Sequence, residues 1–236
     1  MTTANPEPNA KPLARAKSGL TLHHATLSDI YNIDDLHARS FLPNDPFYQK
    51  LIPDTPLTRA WWREWHLRAF NDEGTIFLIC KDGDTPVAIS RWIKPAKEDG
   101  GIASDGFGGE ETVDVHRTPE FSADHDVQLC DELFESFEHF RRKLMGRRRH
   151  YYLEYLGTIE EFKGEGAAGM MIRYMLEHFV DAEGVECYVD ASQAGLHMYE
   201  KFGWVKYDEK PFPPVGGFFY TESYCVRPAQ KKKYGV

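Results

Sequence analysis

The stretch from Tyr151 to Ala168, YYLEYLGTIEEFKGEGAA, constrains the fold of this chain more than any other stretch does. Tyr151 to Thr158 is rich in aromatic and aliphatic residues, as expected of a strand with at least one buried face. Lys163 to Gly166 then turns the chain, and apolar side chains at helical spacing follow from Ala167 to Phe179. The stretch therefore predicts a strand, a tight glycine loop and a helix.

A glycine loop that opens a helix has a specific chemical use. Its backbone NH groups are not blocked by side chains, and they lie at the positive end of the helix dipole. The loop lacks the Gly-Lys-Ser/Thr of a Walker loop and the GxGxxG spacing of a dinucleotide-binding fold. We therefore predict a phosphate or pyrophosphate site of another kind.

Two motifs carry a resemblance to a known family. Residues 163–168 are similar to the acetyl-CoA loop of the GNAT superfamily of N-acetyltransferases, Gln/Arg-x-x-Gly-x-Gly/Ala, with Gly166 and Ala168 at the last two fixed positions and Lys163 replacing the first. Asp190 to Trp204, DASQAGLHMYEKFGW, is similar to the family's "EAS…lYekxGF", with Asp190 in place of the glutamate. Two such motifs in this order, each after a predicted strand, indicate the family more strongly than either motif alone.

The resemblance implies a mixed α/β (α+β) chain with the GNAT fold, in which helices flank a central, mostly antiparallel sheet of six to seven strands. We expect one acetyltransferase domain over residues 20–226, after a disordered segment over 1–19 and before a basic tail over 227–236. Residues 94–122 are rich in Gly, Asp and Glu and predict a mobile insertion. That insertion could act as a lid over the acceptor or be a tolerated surface loop.

Composition narrows the class of function. The chain has 236 residues and a net charge of −9, and both of its ends are basic, so the body between them is more acidic still. Such a body argues against a nucleic-acid partner and mildly favours a cationic substrate. There is no apolar run long enough to cross a membrane. The cysteines are far apart and the histidines show no ligand spacing, so we expect no metal and a reducing, cytoplasmic location.

The resemblance also implies acetyl-CoA as co-substrate and indicates which backbone NH groups would hold it. The oxyanion would lie against NH groups of Leu156, Gly157 and Thr158, where the central strand bends away from its neighbour in GNAT folds; Gly157 has no side chain to obstruct the approach. The loop and the helix start would hold the pyrophosphate, and Ser192 opens the helix of the second motif. The predicted cofactor-binding residues outside the oxyanion site are Lys163, Gly164, Glu165, Gly166, Ala167, Ala168, Gly169 and Ser192.

Two residues are candidate catalysts. Tyr199 matches the tyrosine of the second motif, which serves as general acid toward the CoA sulfur in the family; it could instead only hydrogen-bond CoA. Glu154 is a carboxylate inside an apolar strand, so it must face a cavity or a partner. We predict it as the general base, with an ion pair to an arginine such as Arg91 as the alternative, and His150 and Asp190 as weaker candidates for the base.

The predicted function is transfer of an acetyl group to the primary amine of a small molecule. The surroundings of Tyr199 are similar to those in the small-molecule branch that includes puromycin N-acetyltransferase. The acceptor could instead be a protein or peptide, or the chain could bind CoA without transfer. Trp61, Trp62 and Trp65 could line an acceptor site, although core packing is the more frequent role of such residues. We expect a monomer or a homodimer.

Overall fold

The computed structural model describes residues 11–95 and 118–230, and its centre is one sheet of eight strands. The order across the sheet is β1-β2-β3-β4-β5-β6-β8-β7, and β5 with β6 is the one parallel pair among these described strands. The mixed fold with a mostly antiparallel sheet is confirmed, with one or two strands more than expected. The strands are β1 (Ala14–Arg15), β2 (Thr21–His24), β3 (Thr75–Asp82), β4 (Thr85–Ile93), β5 (His150–Thr158), β6 (Glu186–Ser192), β7 (Val205–Pro211) and β8 (Thr221–Arg227).

Helices cover both faces of this sheet. The front face, which carries Tyr152, Tyr188 and Tyr224, packs against α4. The back face, which carries Leu153, Val189 and Cys225, packs against α5 and α7. The helices are α1 (Ile30–Phe41), α2 (Pro46–Leu51), α3 (Pro56–Phe70), α4 (Val127–Met145), α5 (Ala167–Met175), α6 (Asp181–Glu183) and α7 (Gln193–Lys201). A π-helical segment, Leu176–Val180, connects α5 to α6 without a break.

A β-bulge in β5 changes which side chains share a face. Arg91 of β4 lies opposite Tyr155, but the next residue, Trp92, lies opposite Leu153, so Glu154 is the extra residue. Strict alternation would place Tyr155 on the same face as Leu153. The bulge instead turns Tyr155 to the front face, where its ring lies 4.9 Å from that of His37 in α1. Simple alternation of side chains along β5 therefore fails beyond Glu154.

Strands β5 and β6 diverge after a short parallel ladder. They pair only from His150 with Glu186 to Leu153 with Val189. Beyond that point β5 continues to pair with β4 and β6 continues to pair with β8. We call the space between residues 154–158 of β5 and residues 190–192 of β6 the β5–β6 gap. It leaves one edge of β5 without a neighbouring strand among the described residues.

The predicted segment boundaries differ at both ends. Residues 11–19 are not disordered, because β1 pairs with β2 there, while residues 1–10 lie outside the described residues. Arg227 belongs to β8 rather than to a tail, and its guanidinium bonds Asp181 at 2.6 Å. Most of the predicted insertion over 94–122 and the last six residues also lie outside the described residues.

Candidate active site

The glycine loop has the geometry of an anion site. Gly164 and Gly166 adopt φ angles of +86° and +90°, which side chains disfavour, and a Cβ on either would meet nothing within 4 Å. Gly166 is the N-cap of α5 and supplies no side-chain cap. The first NH groups of α5, from Ala167 to Gly169, therefore have no side-chain acceptor from the N-cap and point out at the positive end of the helix. This backbone can therefore donate hydrogen bonds to an anionic group.

The other two predicted loop residues contribute less. The Lys163 ammonium is exposed and forms an ion pair with Glu160 at 2.6 Å. The Glu165 carbonyl accepts a hydrogen bond from the Ser18 hydroxyl at 2.9 Å, so the segment before β2 contacts the loop. The loop would therefore bind an anion through its backbone NH groups rather than through these side chains.

The open edge of β5 presents two backbone NH groups to the β5–β6 gap. The NH of Ile159 donates to Val87 of β4 at 3.1 Å. Because hydrogen-bonding direction alternates along an antiparallel pair, Gly157 also directs its NH to β4, whereas Leu156 and Thr158 direct theirs into the gap. Of the three predicted oxyanion residues, the structure thus brings two NH groups to the gap.

Gly157 has a different role from the one expected. An added Cβ would lie 2.7 Å from Ser40 Cβ and 2.9 Å from Phe41 Cε2, both in α1. The missing side chain therefore makes room for a helix on the front face.

Tyr199 lies at the back of the gap. It is 6% exposed, and its hydroxyl has no hydrogen-bond partner among the described residues. Burial raises its pKa above the ordinary value, and the negative charge of Glu222 raises it further. A Cβ on Gly195 would lie 3.0 Å from Tyr199 Cε2 and 3.7 Å from Cζ, so the hydroxyl end of the ring lies beside the start of α7. There the Ser192 hydroxyl caps the helix by accepting from the Gly195 NH at 3.3 Å.

Glu154 forms an ion pair with Arg91, the alternative considered from sequence. Arg91 is fully buried, and its guanidinium also lies 4.5 Å from the centre of the Trp65 ring. The ion pair occupies the carboxylate that a general base would have to leave available.

Asp190 is a second carboxylate on the front face. It accepts hydrogen bonds from the hydroxyls of Tyr152 at 2.6 Å and Tyr188 at 2.7 Å. Burial raises its pKa to about 6, and the two hydroxyls and Arg141 oppose this shift. His150, the other weaker candidate, bonds the Arg148 carbonyl at 2.7 Å and lies at the far end of β5 from the gap.

Glu222 is a site residue that sequence reasoning missed. It lies in β8 directly opposite Ser192 of β6 and is 2% exposed. Its carboxylate accepts a hydrogen bond from the Tyr220 hydroxyl. Burial raises its pKa well above the ordinary value, and Asp190 and Asp45 add to the shift. The sequence could have indicated Glu222, because it is a carboxylate in an otherwise buried strand. The argument made for Glu154 applies to it as well.

The three tryptophans of α3 belong to the core. Trp61, Trp62 and Trp65 are each at most 6% exposed and pack in one cluster with α2 and α4.

Within residues 11–95 and 118–230, no group of three or more histidine, cysteine or carboxylate side chains could hold a metal ion. The helices of these ranges are also too short or too polar to cross a membrane.

Comparison with known proteins agrees with this architecture. Residues 125–204 match the family model described as "Acetyltransferase (GNAT) family". A search of curated proteins finds no significant match. Among solved structures, a histone acetyltransferase HPA2 and related acetyltransferase from Corynebacterium glutamicum is 18% identical, with a TM-score of 0.55 over 91% of this chain and 98% of that one.

Two further structures show the same likeness. The ribosomal-protein-S18-alanine N-acetyltransferase of Escherichia coli is 8% identical, with a TM-score of 0.53 over 92% of this chain and 98% of that one. NAA60 of Arabidopsis thaliana, solved in complex with acetyl-CoA, is 11% identical, with a TM-score of 0.50 over 88% and 97%. Identities this low establish the fold alone. The chain therefore has the GNAT fold, and its residues 125–204 carry the sequence pattern of the GNAT acetyltransferase family.

Proposed function

We propose that this chain is an acetyl-CoA-dependent N-acetyltransferase whose acceptor is the primary amine of a small molecule. The observation that carries the proposal is the β5–β6 gap, where the open edge of β5 meets the uncapped start of α5 and the hydroxyl of Tyr199, which has no partner among the described residues. A backbone cradle, two free NH groups and a phenol are the groups that acyl transfer from a thioester requires.

Each of these groups has a defined task in the proposed reaction. The NH groups of Ala167 to Gly169 hold the pyrophosphate of the co-substrate, which supplies the activated acetyl group. The NH groups of Leu156 and Thr158 stabilise the negative charge that develops on the thioester oxygen. The phenol of Tyr199 donates a proton to the departing sulfur. A phenol suits this task because its raised pKa keeps it protonated at neutral pH.

A small acceptor is supported by the burial of the polar groups on the front face. Glu222 is buried and Asp190 is partly buried, which favours a compact amine over a bulky acceptor. The likeness to protein acetyltransferases concerns the fold and leaves the acceptor open. A protein amine is therefore the second candidate to test.

Thiol release from acetyl-CoA tests the proposal. The assay compares 2-phenylethylamine, puromycin, spermidine, aniline and a histone-tail peptide as acceptors. Release with a small amine and not with the peptide is the expected result. Release with the peptide alone would replace the small acceptor by a protein one. Silence with every amine, while coenzyme A still binds in calorimetry, would mean that the chain binds CoA without transfer.

Tyr199→Phe tests the acid role within the same assay. We expect turnover to fall by about two orders of magnitude, because the thiolate loses its proton donor, while coenzyme A affinity stays the same. Tyr174→Phe, which removes a more exposed phenol from α5, serves as the matched control. A loss of coenzyme A affinity with unchanged turnover in Tyr199→Phe would assign that hydroxyl to binding.

A further inference from the structure

We propose that Glu222 receives the ammonium group of the acceptor and removes its proton, with Asp190 beside it as a second anionic contact. This inference rests on the proposed acetyltransferase function and assigns the base of that reaction. It also defines the acceptor as a compact primary amine that is cationic in solution.

Strand register places Glu222 at the mouth of the gap. Glu222 lies opposite Ser192, and Tyr224 lies opposite Asp190, so Glu222 and Asp190 are diagonal neighbours on adjacent strands. Side chains directly opposite each other in an antiparallel pair share a face, and diagonal side chains lie within about 7–8 Å. Both carboxylates are therefore on the front face. Glu222 is two residue pairs further toward the end of β6, beyond the point where β5 has diverged.

The charges around Glu222 call for a cation. Its carboxylate accepts a hydrogen bond from Tyr220, and the charged groups that influence it from β6 and from the start of α2 are Asp190 and Asp45, both acidic. Lys210 of β7 lies opposite Glu222 in register, but its ammonium forms an ion pair with Glu132 of α4 at 3.1 Å. Glu154, by contrast, is neutralised by Arg91. A buried carboxylate beside other carboxylates is costly unless a positive group accompanies it. An acceptor ammonium would be that group.

Tyr199 supplies an independent indication that a ligand belongs here. Its hydroxyl reaches the start of α7 from the back face, beside Ser192, the register partner of Glu222. Its ring is buried, whereas its hydroxyl is not among the fully buried polar atoms and has no partner among the described residues, so a ligand can reach it. A reacting group held between Glu222 and Tyr199 would therefore have a proton acceptor on the front side and a proton donor on the back side.

Aromatic rings close the site on the front face. The rings of Phe47 and Tyr220 stack at 4.2 Å, and the ring of Tyr48 meets that of Tyr220 edge-on at 5.7 Å. Ring faces attract ammonium groups and pack against apolar bodies. This surrounding fits an amine on a short aromatic or aliphatic body better than it fits a polyanionic or strongly hydrated acceptor.

The proton balance of the step is complete. The ammonium gives one proton to the Glu222 carboxylate, and the neutral amine nitrogen then forms the new C–N bond at the thioester carbon. As the C–S bond breaks, Tyr199 protonates the sulfur and regains a proton from the nitrogen. Glu222 releases its own proton to solvent, so the products are the N-acetyl amine, free thiol and one proton.

The test compares pH profiles of kcat/KM for Glu222→Gln and for the wild type, with acetyl-CoA and either 2-phenylethylamine or spermidine, whichever the wild type acetylates faster. Protonated Glu222 cannot accept a proton, so wild-type activity should fall as the pH decreases through its raised pKa. Glu222→Gln should lose about a hundredfold or more in turnover and lack this acid limb, while it still binds coenzyme A. Glu209→Gln, which removes an exposed carboxylate from neighbouring β7, should behave as wild type.

A second variant keeps the proposal testable if Glu222→Gln does not fold. Tyr220→Phe removes the hydrogen bond that stabilises the carboxylate, so its acid limb should move to higher pH. The other titratable groups that face Glu222 or interact with it or its neighbouring tyrosines are unchanged in this variant; they are Asp190, Asp45, Tyr48, Tyr199, Tyr224, Cys225 and Lys210. Wild-type turnover or an unmoved acid limb in these variants would overturn the role of Glu222 and leave acetyl transfer intact. A silent wild type would overturn both.

Discussion

Gly157 lies where α1 approaches β5 most closely on the front face. A Cβ added to this glycine would lie closer to Ser40 and Phe41 than Cβ atoms normally lie to any group they do not bond. The glycine therefore sets the separation of the helix from the strand, and through it the position of the residues that follow α1. The sequence suggested that Gly157 leaves room for the substrate, but in the structure Gly157 leaves room for a helix.

Replacement of Gly157 by alanine tests this role. We expect Gly157→Ala to lower the free energy of unfolding by about 1–3 kcal/mol, because the methyl group must displace Ser40 or Phe41. Urea denaturation measures the loss. The double mutant with Ser40→Gly should lose less than the sum of the single mutants, since the contacting side chain is gone. Additive losses would show that the two sites do not meet.

At the scale of elements, the start of α5 combines two requirements. The loop must turn through two glycines with positive φ, and the helix must leave its first NH groups without a side-chain cap. A helix gains stability from a capping side chain or a negative charge at this end. The chain forgoes that stability here, which is expected where a ligand supplies the negative charge.

A carboxylate introduced in the first turn of α5 should weaken coenzyme A binding without lowering the stability of the fold. Ala168→Glu should keep or raise the melting temperature, because a negative charge near a helix N-terminus contributes about 0.3–1 kcal/mol. It should weaken coenzyme A binding about tenfold or more, because the carboxylate repels the pyrophosphate. Calorimetry and thermal melting measure the two effects. Ala182→Glu, in exposed α6 beyond the π-helical segment, is the control that should bind normally.

The sequence allowed some elements to be predicted well and not others. The central strand, the glycine loop and the helices α5 and α7 have local signals, and they form close to the expected positions. The face of Tyr155 could not be read from a local pattern, because the bulge at Glu154 depends on how β4 pairs with β5. The pairing of β1 with β2 likewise depends on a partner strand rather than on the composition of the amino-terminal segment.

At the scale of the whole molecule, buried acids make stability depend on pH. Asp190 has a pKa of about 6 in the folded chain, compared with an ordinary value of 3.8. Folding therefore favours its protonated form. The stability contributed by that proton is fully present below pH 3.8 and is lost as the pH rises through about 6.

Asp190→Asn isolates this effect. The difference in unfolding free energy between wild type and variant should change by about 2 kcal/mol between pH 4 and pH 7, with the wild type relatively less stable at the higher pH. Asp34, whose pKa burial also raises to about 6, is present in both proteins and cancels in the comparison. Urea denaturation at several pH values measures the difference. A difference that does not vary with pH would contradict the raised pKa.

The pairing of strands that are distant in sequence also explains which candidate site residues could be predicted from the sequence. Tyr199, Asp190 and the loop belong to motifs that are contiguous in sequence. Glu222 lies near them only because β8 pairs with β6. In that pairing Glu222 lies opposite Ser192, which is 30 residues earlier in the sequence. Its neighbours along the chain gave no reason to connect it to Tyr199.

The two faces of the sheet have a consequence for the order of events. The start of α5 and Tyr199 are on the back face, and Glu222 with its aromatic surroundings is on the front face. In the proposed enzyme, the two substrates would enter through separate mouths and meet only within the gap. Neither would block the route of the other, so initial-velocity plots should intersect, as they do when both substrates must be present together, and should not run parallel.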